Sequence, residues 1–393
     1  MRGRTAAEAT EGYGNAMTQT ADYVIALIRA LLREEPVPPI PAGISLGELY
    51  DFSRSHCIEA LTWRGLAPLL PHCGDPVRQG WENRVNQLLA QSIVQLQERD
   101  DLIAALTQAL IDVLPVKGCW LKERYPDLND RQMSDLDMLI RPEDAALAEQ
   151  TMLAMGYQRE EVLSHHTTYL KPPYTAVELH VALLPEFDEH FGYYQNIWKK
   201  AMPADRTPRL YRLKPEDEYL YYIVHLSKHL SEGGSGIRSI LDQRIYEHCF
   251  PDMDRDYLEK ELESLGLSEL ERQVQALSRC WFETGQALPE HLLPLAQAVC
   301  TAGSYGSLQT RTRNRLERLS KRYPNPVVRF FAYCLPRFFR PLPEMKRRYP
   351  ILRKAPFLLP VFWVVRIVSM MLHNTHSFWQ HLGSLFGKGG SHG

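Results

Sequence analysis

No two of the seven cysteines (Cys57, Cys73, Cys119, Cys249, Cys280, Cys300 and Cys334) stand in Cys-x-x-Cys spacing, and their number is odd. That excludes a zinc ribbon legible in sequence and a closed disulfide framework; the reading is scattered reduced thiols of the cytosol. The opening stretch MRGRTAAEATEGYGNAMTQT has no apolar run, so no secretory signal is expected. The most apolar stretch, Ala355 to Met371, contains Pro360 and Arg366 and falls short of a spanning helix. Internal repeats and low-complexity tracts are also missing. With 45% hydrophobic and 23% charged residues over 393 positions, collagen, coiled coil and wholesale disorder are excluded, and two or three domains are expected.

Acidic residues are scarce in one place. From Arg311 to Arg366, fifteen Lys and Arg stand against Glu317 and Glu344, although the whole chain carries −2. The body ahead of residue 311 is therefore acidic, and the basic segment suggests an anionic partner. Arg337, Arg340, Lys346, Arg347, Arg348, Arg353 and Lys354 alternate there with Phe330, Phe331, Phe338, Phe339, Phe357, Phe362 and Trp363. Such a mixture suits an anionic membrane surface or a nucleic-acid backbone, with packing against the acidic body as the plainer alternative. The expectation is a peripheral membrane contact over residues 321–372, ahead of RNA, on a cytoplasmic protein at the inner membrane face.

Periodicity predicts a helix over Ala21 to Leu32, a Pro-rich linker, and helices over 46–70 and 78–110. In the longest, Val85, Leu88, Leu89, Ile93, Val94 and Leu96 form the apolar stripe. Ile111 to Val116 and Leu136 to Ile140 read as buried strands. A helix from Pro142 to Met155 follows, with Gly156 as its C-terminal cap. Strands Thr167 to Lys171 and Ala176 to Leu184 join at Pro172-Pro173, and the pattern is helical again from Pro215 to about Ser320.

The chemistry concentrates in SDLDMLI. Residues two apart on a strand share a face, so Asp135 and Asp137 project together while Leu136, Met138 and Ile140 face the core. Two converging carboxylates are costly unless a cation neutralises them, and hard divalent ions use such oxygens together with substrate phosphates. Upstream, a strand runs into Lys117-Gly118, where a glycine lets the backbone approach a phosphate. Downstream, VELHVAL puts Glu178 and His180 on one face. Glu178 is a candidate third carboxylate of a two-metal site; a solvated edge-strand face is the alternative. Lys117 and Arg131 are cationic candidates for phosphate oxygens.

The stretch VKGCWLKERYPDLNDRQMSDLDMLIRPEDAALAEQTMLAMGY, followed by VELH, resembles the bacterial nucleotidyltransferase-like family within the polymerase-β-type nucleotidyltransferase superfamily. The resemblance is strongest over residues 111–184. It implies an α+β fold: a small mixed-sheet nucleotidyltransferase core (108–212) between an N-terminal helical region (1–107) and a helical domain (213–320), with a basic, aromatic-rich segment (321–393) after it. It also implies transfer of a nucleoside monophosphate from an NTP to an unidentified acceptor. Two Mg²⁺ ions, or Mn²⁺ in their place, would be held by Asp135, Asp137 and Glu178, with Lys117, Gly118 and Arg131 at the nucleotide. Two departures stand out: the second small residue of the superfamily turn is Cys119, and Gly118 lies farther from Asp135 than usual. They keep a catalytically inactive nucleotide- or partner-binding module as the alternative, beside a membrane-surface scaffold.

Three further features are weighed. His225 and His229, four apart on a helix, could share a metal or line the cleft. Arg238 and Asp242 read as an intrahelical ion pair, or Arg238 as a contact across the cleft. His165-His166 reads as a polar strand start. Base, acceptor, pathway and oligomeric state are not legible.

Overall fold

The computed structural model describes residues 6–70, 75–173, 175–204, 207–304 and 351–373, with single positions at 325, 339, 342, 345 and 349. The chain opens with α1 (Ala6–Leu32), α2 (Leu46–Ser55), α3 (Glu59–Leu66) and α4 (Pro76–Gln108). Helix α1 starts well ahead of the expected Ala21, because no proline interrupts the polar stretch. Its apolar face is Val24, Leu27 and Ile28, all fully buried. Gly65 of α3 lets α1 approach: a Cβ there would lie 2.8 Å from Leu27 Cδ2. Helix α2 begins in a capping box, Ser45 Oγ accepting from Glu48 N and Glu48 Oε2 accepting from Ser45 N.

Helix α4 departs from the expected stripe. Leu89 and Ile93 are exposed, and the buried line runs through Leu88, Ser92, Gln95, Arg99, Leu102 and Leu106. Apolar periodicity missed it because three of those residues are polar. Each has a reason to be inside: Gln95 donates to the Met133 carbonyl, Arg99 to the Cys119 carbonyl, and Ser92 accepts from the fully buried Lys122 ammonium. The helix braces the loops on either side of the candidate site.

Then come β1 (Val113–Pro115), α5 (Gly118–Leu121), β2 (Leu136–Ile140), α6 (Ala145–Ala154), β3 (Gln158–Val162), β4 (His166–Lys171), β5 (Thr175–His180), α7 (Phe191–Tyr194), β6 (Met202–Pro203) and β7 (Tyr211–Arg212). Five strands form one mixed sheet in the order β1-β2-β5-β4-β3, with β2 and β5 parallel and the other pairs antiparallel. Strand β3 was not expected: its QREEV is exposed throughout and has no apolar alternation, as suits a charged sheet edge. Strand β5 is interior, between β2 and β4, which removes the edge-strand alternative for Glu178.

Helices α8 (Pro215–Glu232), α9 (Ile237–Cys249), α10 (Arg255–Ser264), α11 (Ser268–Arg279) and α12 (Leu293–Ala302) follow. Alternation along the strands divides the core in two. Leu136, Met138, Ile140, Val177 and Leu179 pack with Leu102 and Leu106 of α4 and Ala148 and Met152 of α6. Leu114, Val116 and Leu139 belong to the larger core of α1–α3 and α8–α11. The α+β class is as expected, with helices flanking a central sheet.

Met1–Leu230 and Ser235–Tyr305 make one compact unit, so the N-terminal helices, the sheet and the helices after it share cores. A second unit takes in Ser231–Gly234 and Gly306–Gly393. Most of the basic segment, including Phe330, Phe331 and Arg337, lies outside the described residues. Of the rest, α13 (Ile351–Lys354) and α14 (Leu359–His373) are described. No helix among the described residues is long and apolar enough to cross a membrane.

Candidate active site

The turn after β1 carries the first surprise. The positive φ belongs to Lys117 (φ 54°, ψ −122°), not to Gly118. A lysine there is strained by on the order of 1–3 kcal/mol, and its ammonium is tied down, donating to Asp137 Oδ1 at 2.7 Å. Gly118 makes room for two side chains: a Cβ would come within 2.7 Å of Arg131 Nη1 and 2.9 Å of Met133 Sδ, and those side chains would have to shift. Cys119 is fully buried, its thiol donating to the Asp137 carbonyl and pushed up to about 12 by burial and the Asp137 charge. It is a packing residue.

Strand β2 starts at Leu136, so Asp135 lies one residue ahead of it and only Asp137 is within the strand. Both line a cavity of about 410 Å³ together with Lys117, Gly118, Arg131 and Glu178. Asp137 is 4% exposed and accepts from Lys117 and from His180 Nε2 at 2.9 Å. Burial works against its charge, but Lys117 and His180 outweigh it and hold the carboxyl well below its usual range. Asp135 goes the other way: burial and then Asp137 push it up to about 6. Glu178 is the register partner of Asp137 on the parallel pair β2–β5. The His180 hydrogen bond lowers its pKa.

Arg131, expected at the nucleotide, lines the cavity with part of its guanidinium already engaged. It is 8% exposed and pairs bidentately with Asp242, Nε–Oδ1 2.9 Å and Nη2–Oδ2 3.1 Å. Tyr125 donates to the same carboxylate at 2.6 Å. Asp242 is thus taken by an arginine from another part of the chain, and the expected Arg238–Asp242 pair is replaced: Arg238 donates to the Gln132 carbonyl. Both arginines lock the loop before β2 onto α9.

Helix α8 walls the cavity with Tyr221, Tyr222, His225 and His229. Burial drives His225 well below its ordinary pKa, so it is neutral, and its Nε2 lies 3.3 Å from that of His229. The two line the cleft, the second of the two readings of that spacing. Glu218, one α8 turn ahead of Tyr222, also lines the cavity and is pushed up to about 7 by burial.

His165 and His166 face the cavity too, and His180 is 2% exposed within it. Their part was missed although a signal existed. The turn at Pro172-Pro173 is flanked by equal arms, so counting outward from Pro173 sets His166 opposite His180, the observed register.

A family profile described as uncharacterised nucleotidyltransferase matches residues 43–283. The chain belongs to this family. The matched span runs from just before α2 to the turn after α11, and takes in every cavity residue named above. Membership supports nucleotidyl transfer as the general activity. No curated protein and no solved structure matches the chain.

Proposed function

We propose that the chain is a Mg²⁺-dependent nucleotidyltransferase, moving a nucleoside monophosphate from an NTP to an acceptor hydroxyl or phosphate. One observation supports this above the others: Asp137 and Glu178 are register partners on β2–β5, and Asp135 lines the same cavity. Burial first, then the charges of Asp137 and Glu178, pushes Asp135 up to about 6, and a buried set of three carboxylates calls for a cation. The oxygen donors fit Mg²⁺, with Mn²⁺ as a substitute, held by Asp135, Asp137 and Glu178. Bound there, the ion supplies charge neutralisation at the triphosphate and acidifies the acceptor hydroxyl.

The chain's own residues do the rest. Glu178, kept ionised by His180, would take the acceptor proton as the acceptor oxygen bonds to the α-phosphorus and the bond to pyrophosphate breaks. Lys117, charged and at the cavity wall, would exchange Asp137 for a phosphate oxygen when the triphosphate enters. Tyr221, Tyr222, Leu183 and Leu226 offer an apolar flank suited to a base. The acceptor is a small molecule, a glycan precursor, a protein or an RNA. The experiment is a screen of labelled NTPs with Mg²⁺ or Mn²⁺ and cell extract. Transfer of label by the wild type and none by Asp137→Asn is expected; no transfer from any NTP sinks the reading.

The Lys117–Asp137 pair favours a second reading, an inactive nucleotide- or partner-binding module, because the lysine already neutralises the central acid. NTP binding without turnover would select it.

For residues 321–372 we keep the peripheral membrane contact as a proposal. Phe357 is 78% exposed, and Val361, Val364 and Val365, at helical spacing in α14, are exposed as well. Failure of the intact protein to co-sediment with anionic vesicles at low salt would end it.

A further inference from the structure

Beside the three acids the cavity holds a second donor set of different chemistry. Strands β4 and β5 run antiparallel with His166 opposite His180 and Thr168 opposite Glu178. Directly opposed residues share a sheet face, and so do Glu178 and His180, two apart on one strand. Register alone therefore collects two imidazoles and a carboxylate. His166 Nε2 lies 3.7 Å from Glu178 Oε1, and His180 Nε2 lies 3.4 Å from Glu178 Oε2. One donor atom from each residue lies within 4.8 Å of the other two.

The spacing argues for an ion. Donors about 2.0–2.2 Å from a common ion stand roughly 3–3.5 Å apart; His180 and Glu178, at 3.4 Å, have that separation, and His166, at 3.7 Å, is too far from Glu178 for a hydrogen bond and a little beyond that separation. His166 Nδ1 lies 3.1 Å from His165 Nε2, the kind of outer contact that fixes the ring of a metal-binding histidine. Lys117 already neutralises Asp137, so Glu178, faced by two imidazoles, is the anionic end that remains. Among the described residues no other group of three or more His, Cys, Asp or Glu is gathered so closely. Two imidazoles with one carboxylate suit zinc-like ions; Mg²⁺ takes oxygens.

We infer that His166, Glu178 and His180 form a binding site for a divalent transition ion of the zinc and cobalt kind, His180 giving up its Nε2 proton and its bond to Asp137 when the ion enters. Glu178 is common to this site and to the proposed transferase, but the site does not depend on nucleotide transfer. Its test is therefore read without nucleotide.

The full-length chain, stripped with chelator and desalted, is titrated with Co²⁺ while visible absorption and binding heat are followed. One Co²⁺ per chain is expected, with ligand-field bands, and a tenfold excess of Mg²⁺ should not displace it. His166→Ala should weaken binding by at least the roughly 10-fold that losing a hydrogen-bond partner of a metal ligand costs, with the far-UV spectrum unchanged. His166→Gln is the substitute if the alanine variant fails to fold. His229→Ala, in the other histidine pair of the cavity, should bind like wild type. Three results would overturn the site: affinity unchanged in both His166→Ala and Glu178→Gln, displacement by equimolar Mg²⁺, or a near-ultraviolet thiolate band placing the ion on cysteine. Label transfer is scored separately: its absence with Co²⁺ binding intact removes the transferase reading alone, and the reverse removes the metal site alone.

Discussion

The two faces of the central sheet are made by the same strands and behave in opposite ways. On one face Leu136, Met138, Ile140, Val177 and Leu179 close against α4 and α6 with no polar atom to satisfy. On the other, Asp137, Glu178, His180 and His166 meet within a few ångströms, and each charge is held by another residue's charge or hydrogen bond. One residue of register separates a core from a candidate active site. The apolar face is stabilised by removing area from water, roughly 25 cal/mol per Å², and tolerates exchange of like for like. The polar face rests on pairing, where losing one partner leaves the other buried and uncompensated.

That contrast can be broken most sharply at Asp137. Asp137→Asn should cut transfer by about 10³-fold, as loss of a group that holds charge at a reacting centre does. It should also destabilise the fold by about 3–5 kcal/mol, because Lys117 is left without its counter-charge. Label transfer and urea unfolding of the same preparation check both. Met138→Ala, one residue along on the apolar face, should cost about 2–5 kcal/mol of stability through the cavity it leaves. Below its melting temperature it should keep wild-type kcat, so a kcat loss like that of Asp137→Asn would erase the distinction between the faces.

A buried polar group away from the sheet sharpens the comparison. His56 accepts from Ile237 N and donates to the Cys300 carbonyl, both neutral partners, and burial pushes it down to about 4 from 6.5. Its native pKa lies below its unfolded one, so the unfolded chain takes up the proton first as pH falls. Stability is therefore intact above about 6.5 and is lost towards 4, at about 1.4 kcal/mol per pH unit from this group. The difference in unfolding free energy between wild type and His56→Gln, measured from pH 7 to 4.5, should follow that slope. Equal slopes in the two proteins would contradict it.

The smallest effect is expected at Asp135. Burial and then repulsion from Asp137 raise it, so Asp135→Asn should leave the metal-free protein as stable as wild type at pH 7, or more stable by about 1–2 kcal/mol. It should still lose transfer. Two aspartates two positions apart would then have opposite effects on stability and the same effect on activity. Thermal unfolding of both variants decides it.

Much of this was legible locally. The DLD alternation separated Asp137 from Leu136 and Met138, the Pro-Pro turn announced the β4–β5 hairpin, and Ser45-x-x-Glu48 marked the start of α2. What local reading missed shares a cause: the partner lay far along the chain. Nothing local announced that Asp242 pairs with Arg131 or that Asp137 pairs with Lys117. The buried stripe of α4 was invisible because Ser92, Gln95 and Arg99 are inside to hold loop atoms, which no apolar period records.

The sequence by itself determined the α+β class, the order of the helices and of the buried strands β1, β2, β4 and β5 along the chain, and which of their side chains share a face, because strand alternation and turn chemistry act over a few neighbouring residues. Tertiary structure alone decided that β5 lies inside the sheet beside β2 and that Glu178 stands against Asp137. Those facts depend on pairing between strands about forty residues apart, and such pairings follow from how whole faces can be buried at once, which no single segment encodes.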